Sequence, residues 1–552
     1  MAAPVVGVNL TLVTPAESAT DTNWATIGGG AAAFESDYYI QGTESYTKRV
    51  SNNTRQVYNT SATVNFTNIT DGSCVYVWLY ATGRAVVDTV TNGGFGVHVG
   101  DGGGNNWRVY HTDGSDVSLS TGWRCFVADP KQTAKTTNGN NGGTDSVGAF
   151  GGQLSTTAGA AGRNFAVDVI RYGTGLSISR GGSGNPFANF SDITSVNDSV
   201  SNQYGVFSAS DTGAILQGTL TIGVDDGTTD TNFMEENKTI LVPDKNPLIG
   251  ESFFNTSPTF TGIDIVGAAT SVMMDNISFF TADGHYKGYF YANNCTNDPL
   301  SLDFDGCTFQ EWGETRMSGN TAISNTTWIN CEAVTLNSGT LDNCTVQAGV
   351  GGTYVFAAGT PNNISNTSFI GGGVGGGHGF EVTSSGTYNF VGNGFTGFGG
   401  NTTDDAAVHI NGGGTGIAVT FNITGGGTGG PDQGFTFKLT PVGVSTVDFV
   451  SAVTVNITGL PTPSETSQGT EIRVLGAGTT NLLGVGTENT LPSDGIYTFS
   501  LTSGTNFDVR ILNVDYVPFF LGGLTADTDP TNIPVDLKID RVYKDDTPPT
   551  GE

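Results

Sequence analysis

One six-residue phrase recurs between Asp264 and Phe395, and no other feature of the chain limits its fold as much. It reads Met274-Asp-Asn276-Ile-Ser-Phe279, Phe304-Asp-Gly306-Cys-Thr-Phe309 and Ile323-Ser-Asn325-Thr-Thr-Trp328. Three more copies follow as Leu341-Asp-Asn343-Cys-Thr-Val346, Ile364-Ser-Asn366-Thr-Ser-Phe369 and Phe390-Val-Gly392-Asn-Gly-Phe395. The Asn/Gly anchors at 276, 306, 325, 343, 366 and 392 lie 30, 19, 18, 23 and 26 residues apart. Such ragged periods are close to those of stacked repeat architectures.

Asn and Gly reach positive φ at the least steric cost, so the anchor is the bend that turns one short strand into the next. The residue after it (Ile277, Cys307, Thr326, Cys344, Thr367) stacks on its equivalent in the next turn. The last apolar residue enters a shared core. This is the pattern of a parallel β-helix. A β-sandwich whose hairpins contain Asn is the competing fold. Helical repeats fit poorly, because the Gly, Thr and Ser between copies show no apolar period near 3.6.

Gly 82 and 13% charged residues, beside Phe 32 and Tyr 17, mark turn-rich β structure, since a disordered chain lacks such an aromatic content. Net charge is −30, from 21 basic and 51 acidic residues. So few scattered cations offer phosphate no track, which excludes nucleic acid, and the acidic field opposes an anionic membrane. No run approaches the roughly 20 apolar residues of a membrane helix, and the first residues show neither the basic nor the apolar region of a signal peptide. Cys295, Cys307, Cys331 and Cys344 lie in or near the repeats without CxxC pairs or histidine partners, so they are expected as reduced residues on one inner line. No cofactor and no metal is expected. Asp225, Asp226 and Asp230 are better explained as turn acids than as a calcium cage. His98, His111, His285, His378 and His409 are scattered. Gly371–Gly377 lacks the GK[ST] of a phosphate loop.

Taken in order, the chain is expected to be all-β. A jelly-roll or lectin-like β-sandwich occupies 1–180, with Val75–Tyr80, Phe95–Val99, Trp107–Tyr110, Trp123–Val127 and Phe165–Ile170 as strands. Short strands over 181–245 form a transition or cap, because a solenoid must cover its open end. A right-handed parallel β-helix is placed at 246–430; Val408–Ile410 and Ala418–Ile423 fit either late turns or a linker. A small β-sandwich spans 431–543, and 544–552 is a polar, frayed tail.

This layout resembles the virion proteins of tailed bacteriophages, in particular the tailspike, tail-fibre and virion-surface fibre class. The likeness rests on Val167-Asp-Val-Ile-Arg-Tyr-Gly173 leading into Asn185–Ser201, and on the Asn-Cys-Thr turns. It rests also on the ending, with Gly469–Val474, Gly495–Phe499 and Ile539–Tyr543. The resemblance implies a homotrimer on the particle surface, assembled in the host cytoplasm. Its implied partners are other virion structural proteins and host cell-surface polysaccharide.

Members of that class often cleave polysaccharide, which requires two carboxylates about 5–9.5 Å apart. The densest acidic stretch is Asp303–Glu314. Asp303 and Asp305 share one strand face, Glu311 follows, and Trp312 offers a surface for a sugar ring. Against catalysis, four of the other five copies also carry Asp or Ser at the position of Asp305, as expected of a turn residue. A lyase would need a base beside the acids, and Lys287 and Arg316 are the only such residues among the repeats. The expectation is therefore a non-enzymatic spike or fibre. A polysaccharide-degrading tailspike is the alternative, and a head-attached fibre or capsid decoration is a second.

Overall fold

The computed structural model describes residues 4–16, 21–28, 32–50, 54–66, 74–81, 85–87, 95–102, 106–111, 117–119, 122–130, 136–138, 146–155, 163–179, 187–196, 204–209, 213–242, 262–281, 288–292, 301–331, 334–348, 354–356, 363–372, 377–424, 435–460, 470–487, 495–502, 505–513, 516–526 and 530–538. Cys295, His285, Lys287 and the segment 539–552 lie outside the described residues. The fold is all-β: among the described residues one short helix, Phe190–Val196, accompanies 45 strands. Residues 1–339 with 347–355 form one compact unit, and 340–346 with 356–552 form another.

In the first unit, two antiparallel layers close on one apolar core. One layer has the order Thr136–Asn138, Trp107–His111, Phe95–Gly100, Ala149–Ser155, Thr54–Asn59, Trp24–Ile27. The other is built around the long strand Arg163–Ser179, which pairs antiparallel with Val5–Thr14, Ser45–Val50 and Cys74–Ala81. Val75, Val77, Leu79, Phe95, Phe126, Phe150 and Phe165 fill the space between. A break in register between Asp168 and Ile170 bends the long strand, with Val169 at φ 37°. The buried Asp168 is satisfied there by the backbone N–H groups of Ile40, Gln41 and Val169 at 2.6, 3.1 and 2.7 Å.

The same strand starts the parallel part of the unit. Gly175–Ile178 pairs parallel with Thr219–Ile222, which pairs with Gly262–Ile265, then Tyr289–Tyr291, then Thr315 and Arg316. A second ladder runs through Thr231–Glu236, Thr270–Asp275, Ser301–Asp305 and Thr321–Ser324. A third runs through Gly213–Leu216, Thr239–Val242, Ser278–Thr281, Thr308–Gln310 and Thr327–Cys331.

Within the second unit, Phe380–Val382, Val408–Asn411 and Phe437–Thr440 pair in parallel, as do Gly386–Val391, Ala418–Thr424 and Thr446–Thr458. Val408–Ile410 and Ala418–Ile423 are thus members of parallel ladders, and parallel pairing extends past residue 430 to Ser451. From Ala452 the strand Thr446–Thr458 pairs antiparallel with Tyr497–Thr502 on one side, and its Val455–Thr458 pairs parallel with Thr531–Pro534 on the other. With the sheet of Leu482–Thr487, Glu471–Gly476, Asn506–Asn513 and Tyr516–Thr525, it encloses Val453, Val455, Ile472, Val474, Phe507 and Val509.

All six anchors of the repeat have positive φ: 55° at Asn276, 64° at Gly306, 51° at Asn325, 53° at Asn343, 51° at Asn366 and 66° at Gly392. Asn237, at 55°, is a seventh bend that the repeat phrase did not reach. The first and last apolar positions of every copy are buried. Phe279 stacks on Phe309 at 4.4 Å and 7°, and Phe309 on Trp328 at 5.7 Å and 4°. In the second unit Phe369 stacks on Phe395 at 4.8 Å and 6°. Each such ring contributes about 1.5–3 kcal/mol by leaving water.

The position after the anchor is an inner line in each unit. Ile277, Cys307 and Thr326 are buried, and the backbone N–H groups of Thr308 and Thr327 donate to the carbonyls of Ile277 and Cys307 at 2.8 and 2.9 Å. Cys344, Thr367 and Asn393 form the equivalent line, where the Asn393 amide accepts from Thr367 N–H and donates to the Ile364 carbonyl, both at 2.9 Å. The expectation of one cysteine line needs correction. Cys331 lies at the end of its strand, two residues beyond Ile329, and its thiol points to the Phe309 carbonyl at 3.1 Å. Cys307, Cys331 and Cys344 are all buried thiols outside any disulfide.

Candidate functional site

Alternation along Ser301–Asp305 turns Leu302 and Phe304 inward and leaves Asp303 and Asp305 exposed. Asp305 accepts hydrogen bonds from Ser324 Oγ at 2.8 Å and Asn325 Nδ2 at 2.5 Å, both at the end of the next strand in the ladder. These bonds hold its carboxyl below the ordinary value. Asp342 repeats the arrangement in the second unit, accepting from Ser365 Oγ at 2.7 Å and Asn366 Nδ2 at 2.9 Å. Asp305 is therefore a clamp between neighbouring strands of the ladder. Glu311 sits at a bend with φ 50°, its backbone N–H donating to the Ile329 carbonyl at 2.9 Å.

Trp312 is not a surface platform. Its ring is fully buried, lies against the backbone of Gly288 and meets Phe279 edge-on at 5.3 Å. The physical reason is local: the positive-φ bend at Glu311 redirects the chain and places the next side chain in the core.

The turn acids at 225–230 form no cage. Asp226 accepts from the backbone N–H groups of Thr228 and Thr229 at 2.8 and 2.7 Å and from the Thr229 hydroxyl. These bonds hold its pKa at about 2. Among the described residues no three potential ligands gather around a metal position.

A cleft of about 580 Å³ opens instead on the first ladder of the first unit. Its floor comes from register. Ser177, Thr221, Asp264, Tyr291 and Arg316 are consecutive partners along the ladder, and Thr219, Gly262 and Tyr289 are another such series. Alternation points the inner members Leu220, Ile263 and Phe290 into the core, and the series between them faces the cleft. Glu314 holds the far wall. It accepts from Arg316 Nε at 2.7 Å and Nη2 at 2.9 Å, and from the Tyr291 hydroxyl at 2.7 Å. The guanidinium lies over the Tyr291 ring, 4.7 Å from its centre. Tyr289 packs on Tyr291 at 4.6 Å and shares a 2.8 Å hydrogen bond with the Thr219 hydroxyl.

Asp264 differs from the other acids. Its Oδ1 is buried without a hydrogen-bond partner. Burial raises its carboxyl to about 6, against the opposing pull of the Tyr289 hydroxyl. The sequence marked Arg316 as one of two cations among the repeats and included Glu314 in the acidic stretch, but did not connect them with Asp264, Tyr289 or Tyr291. Only strand pairing brings those segments together.

The histidines are less scattered than their spacing implies. In the second unit Glu381, His409 and Lys438 are register partners on adjacent strands. Glu381 Oε1 lies 3.4 Å from His409 Nδ1 and accepts from Asn411 Nδ2 at 2.7 Å. The His378 ring lies tilted against His409 at 4.5 Å and places Nδ1 2.6 Å from the Ala406 carbonyl. Burial opposes ionisation of Glu381, but the His409 and Asn411 bonds outweigh it and hold the carboxyl below its ordinary value. The group ties neighbouring strands together.

No family model matches the chain, and no curated protein matches it. Among solved structures, the CBM22-1 xylan-binding domain of Paenibacillus barcinonensis Xyn10C aligns at 13% identity with a TM-score of 0.19, over 30% of this chain and 96% of that chain. The catalytic domain of GH87 α-1,3-glucanase in complex with nigerose aligns at 11% identity with a TM-score of 0.19, over 81% of this chain and 88% of that chain.

Proposed function

We propose that the chain is a structural protein of a bacteriophage virion, a trimeric tail spike or fibre that contacts host cell-surface glycans without cleaving them. In this reading the parallel ladders are a right-handed β-helix forming a shaft, and the antiparallel regions at either end of the sequence are β-sandwiches for docking and contact. One observation carries the non-enzymatic part. Asp305, central to the acidic stretch, is bonded to Ser324 and Asn325 of the next turn, and Asp342 repeats the arrangement with Ser365 and Asn366. A carboxylate used as an inter-turn clamp is a poor proton donor or nucleophile.

The test incubates purified protein with host capsular polysaccharide or lipopolysaccharide and measures both retention and new reducing ends. Glycan retained with no reducing ends released is the expected result. Release of reducing ends overturns the non-enzymatic reading. Sedimentation as a monomer at micromolar concentration removes the trimeric spike, and imaging of particles that carry the protein at the head replaces the tail assignment.

A further inference from the structure

We infer that the cleft over Thr221, Asp264, Tyr291 and Arg316 is a binding site for neutral, hydroxyl-rich sugar units and discriminates against acidic ones. This rests on the reading of the protein as one that contacts glycans, and adds to it a location and a charge class.

The volume is the first support. About 580 Å³ falls within the roughly 300–1,000 Å³ of small-ligand sites. Donor and acceptor supply is the second. Ser177, Thr219 and Thr221 bring hydroxyls to the lining, and each can donate or accept. Arg316 uses Nε and Nη2 on Glu314, which fixes the plane of the guanidinium at the wall. The Tyr291 hydroxyl is held by the same carboxylate, so this wall is ordered before any ligand arrives. Preorganisation of this kind lowers the ordering cost of binding.

Asp264 supplies the third support. Its carboxylate lines the cleft, and a ligand hydroxyl donated to it adds a hydrogen bond to a charged acceptor. Neutral sugars carry such donors in number.

Charge decides the class. Among the described lining residues, Asp225, Asp264 and Glu314 stand beside one cation, Arg316, which is paired with Glu314. A uronate or other anionic sugar would bring its carboxylate against the Asp264 carboxylate, on a chain of net charge −30. Like-charge juxtaposition across a binding interface is unfavourable.

The experiment uses the full chain and isothermal titration with two probe sets: neutral oligohexoses and oligouronates of matched length. Two variants accompany it. Asp264→Ala removes the unpaired acceptor, and Thr221→Arg fills the centre of the floor. Expected are saturable binding of at least one neutral oligohexose, no binding of the uronates, and at least a tenfold loss of affinity in each variant. Folding is checked by thermal unfolding, and if Thr221→Arg does not fold, Tyr291→Phe takes its place. Neutral-sugar binding that survives both variants unchanged places the site elsewhere and overturns this inference, while the glycan-contacting reading stands. Preference for uronates also overturns it. A chain that binds neither probe set nor host glycan overturns the inference and the glycan-contacting reading together.

Discussion

Tyr289 reaches across the intervening strand of the ladder to share a 2.8 Å hydrogen bond with Thr219, and Gly262 is the partner of both on that strand. The missing side chain at 262 is what lets the ring lie down. A Cβ there would fall 2.5 Å from Tyr289 Cγ and 2.2 Å from its carbonyl oxygen. Gly262→Ala is therefore expected to destabilise the first unit by about 1–3 kcal/mol, the usual cost of overpacking. Chemical denaturation measures it; an unchanged midpoint would show that the ring has another resting place.

Asp264 makes stability depend on pH in an unusual direction. Its folded value, about 6, lies above that of an ordinary carboxyl. Between those two values the folded chain holds the proton that the unfolded chain has lost. The Asp264 contribution to stability is therefore full at acid pH and is lost as pH rises through about 6. Asp264→Asn removes this dependence. Its advantage over the parent is expected to grow with pH across the window by up to about 1.4 kcal/mol per unit and to level off above it. Urea midpoints from pH 4 to pH 8 check the sign; an advantage that shrinks with pH contradicts it.

Trp312 is a core residue, so its removal is expected to act on folding. Trp312→Ala leaves a cavity against Phe279 and Gly288 and is expected to cost about 3–5 kcal/mol. Calorimetry on the purified variant reads the loss as a lower melting temperature. A variant of parental stability that selectively loses glycan retention would restore the exposed-platform role.

Asn366 combines a bend with a bond. Its φ is 51°, and its Nδ2 donates to Asp342 at 2.9 Å. Asn366→Gly keeps the bend and loses the bond, for an expected cost of about 0.5–1.5 kcal/mol. Asn366→Val loses both, adding roughly 1–2 kcal/mol for a left-handed backbone under a β-branched side chain. Thermal melts of the two variants side by side test the order; equal melting temperatures would mean that the bend makes no demand on the residue.

The six bends were legible because their cause is local: an Asn or Gly relieves the steric cost of positive φ wherever it stands, and the neighbouring apolar positions follow from alternation. Thus Asn276, Gly306, Asn325, Asn343, Asn366 and Gly392 could be placed from the letters, as could the burial of Phe279, Phe309 and Phe369. Tertiary structure alone decided the rest. Thr221, Asp264, Tyr291 and Arg316 are far apart in sequence, at the irregular intervals of 43, 27 and 25 residues. No period connects them, because loop length between turns does not alter strand register. Trp312 was assigned to the surface for the converse reason: one positive-φ residue, Glu311, carries a type that seldom adopts that backbone, and its bend sends the next ring inward. Sequence determined that the chain bends, stacks and buries its aromatic residues; register determined which polar residues meet in the cleft.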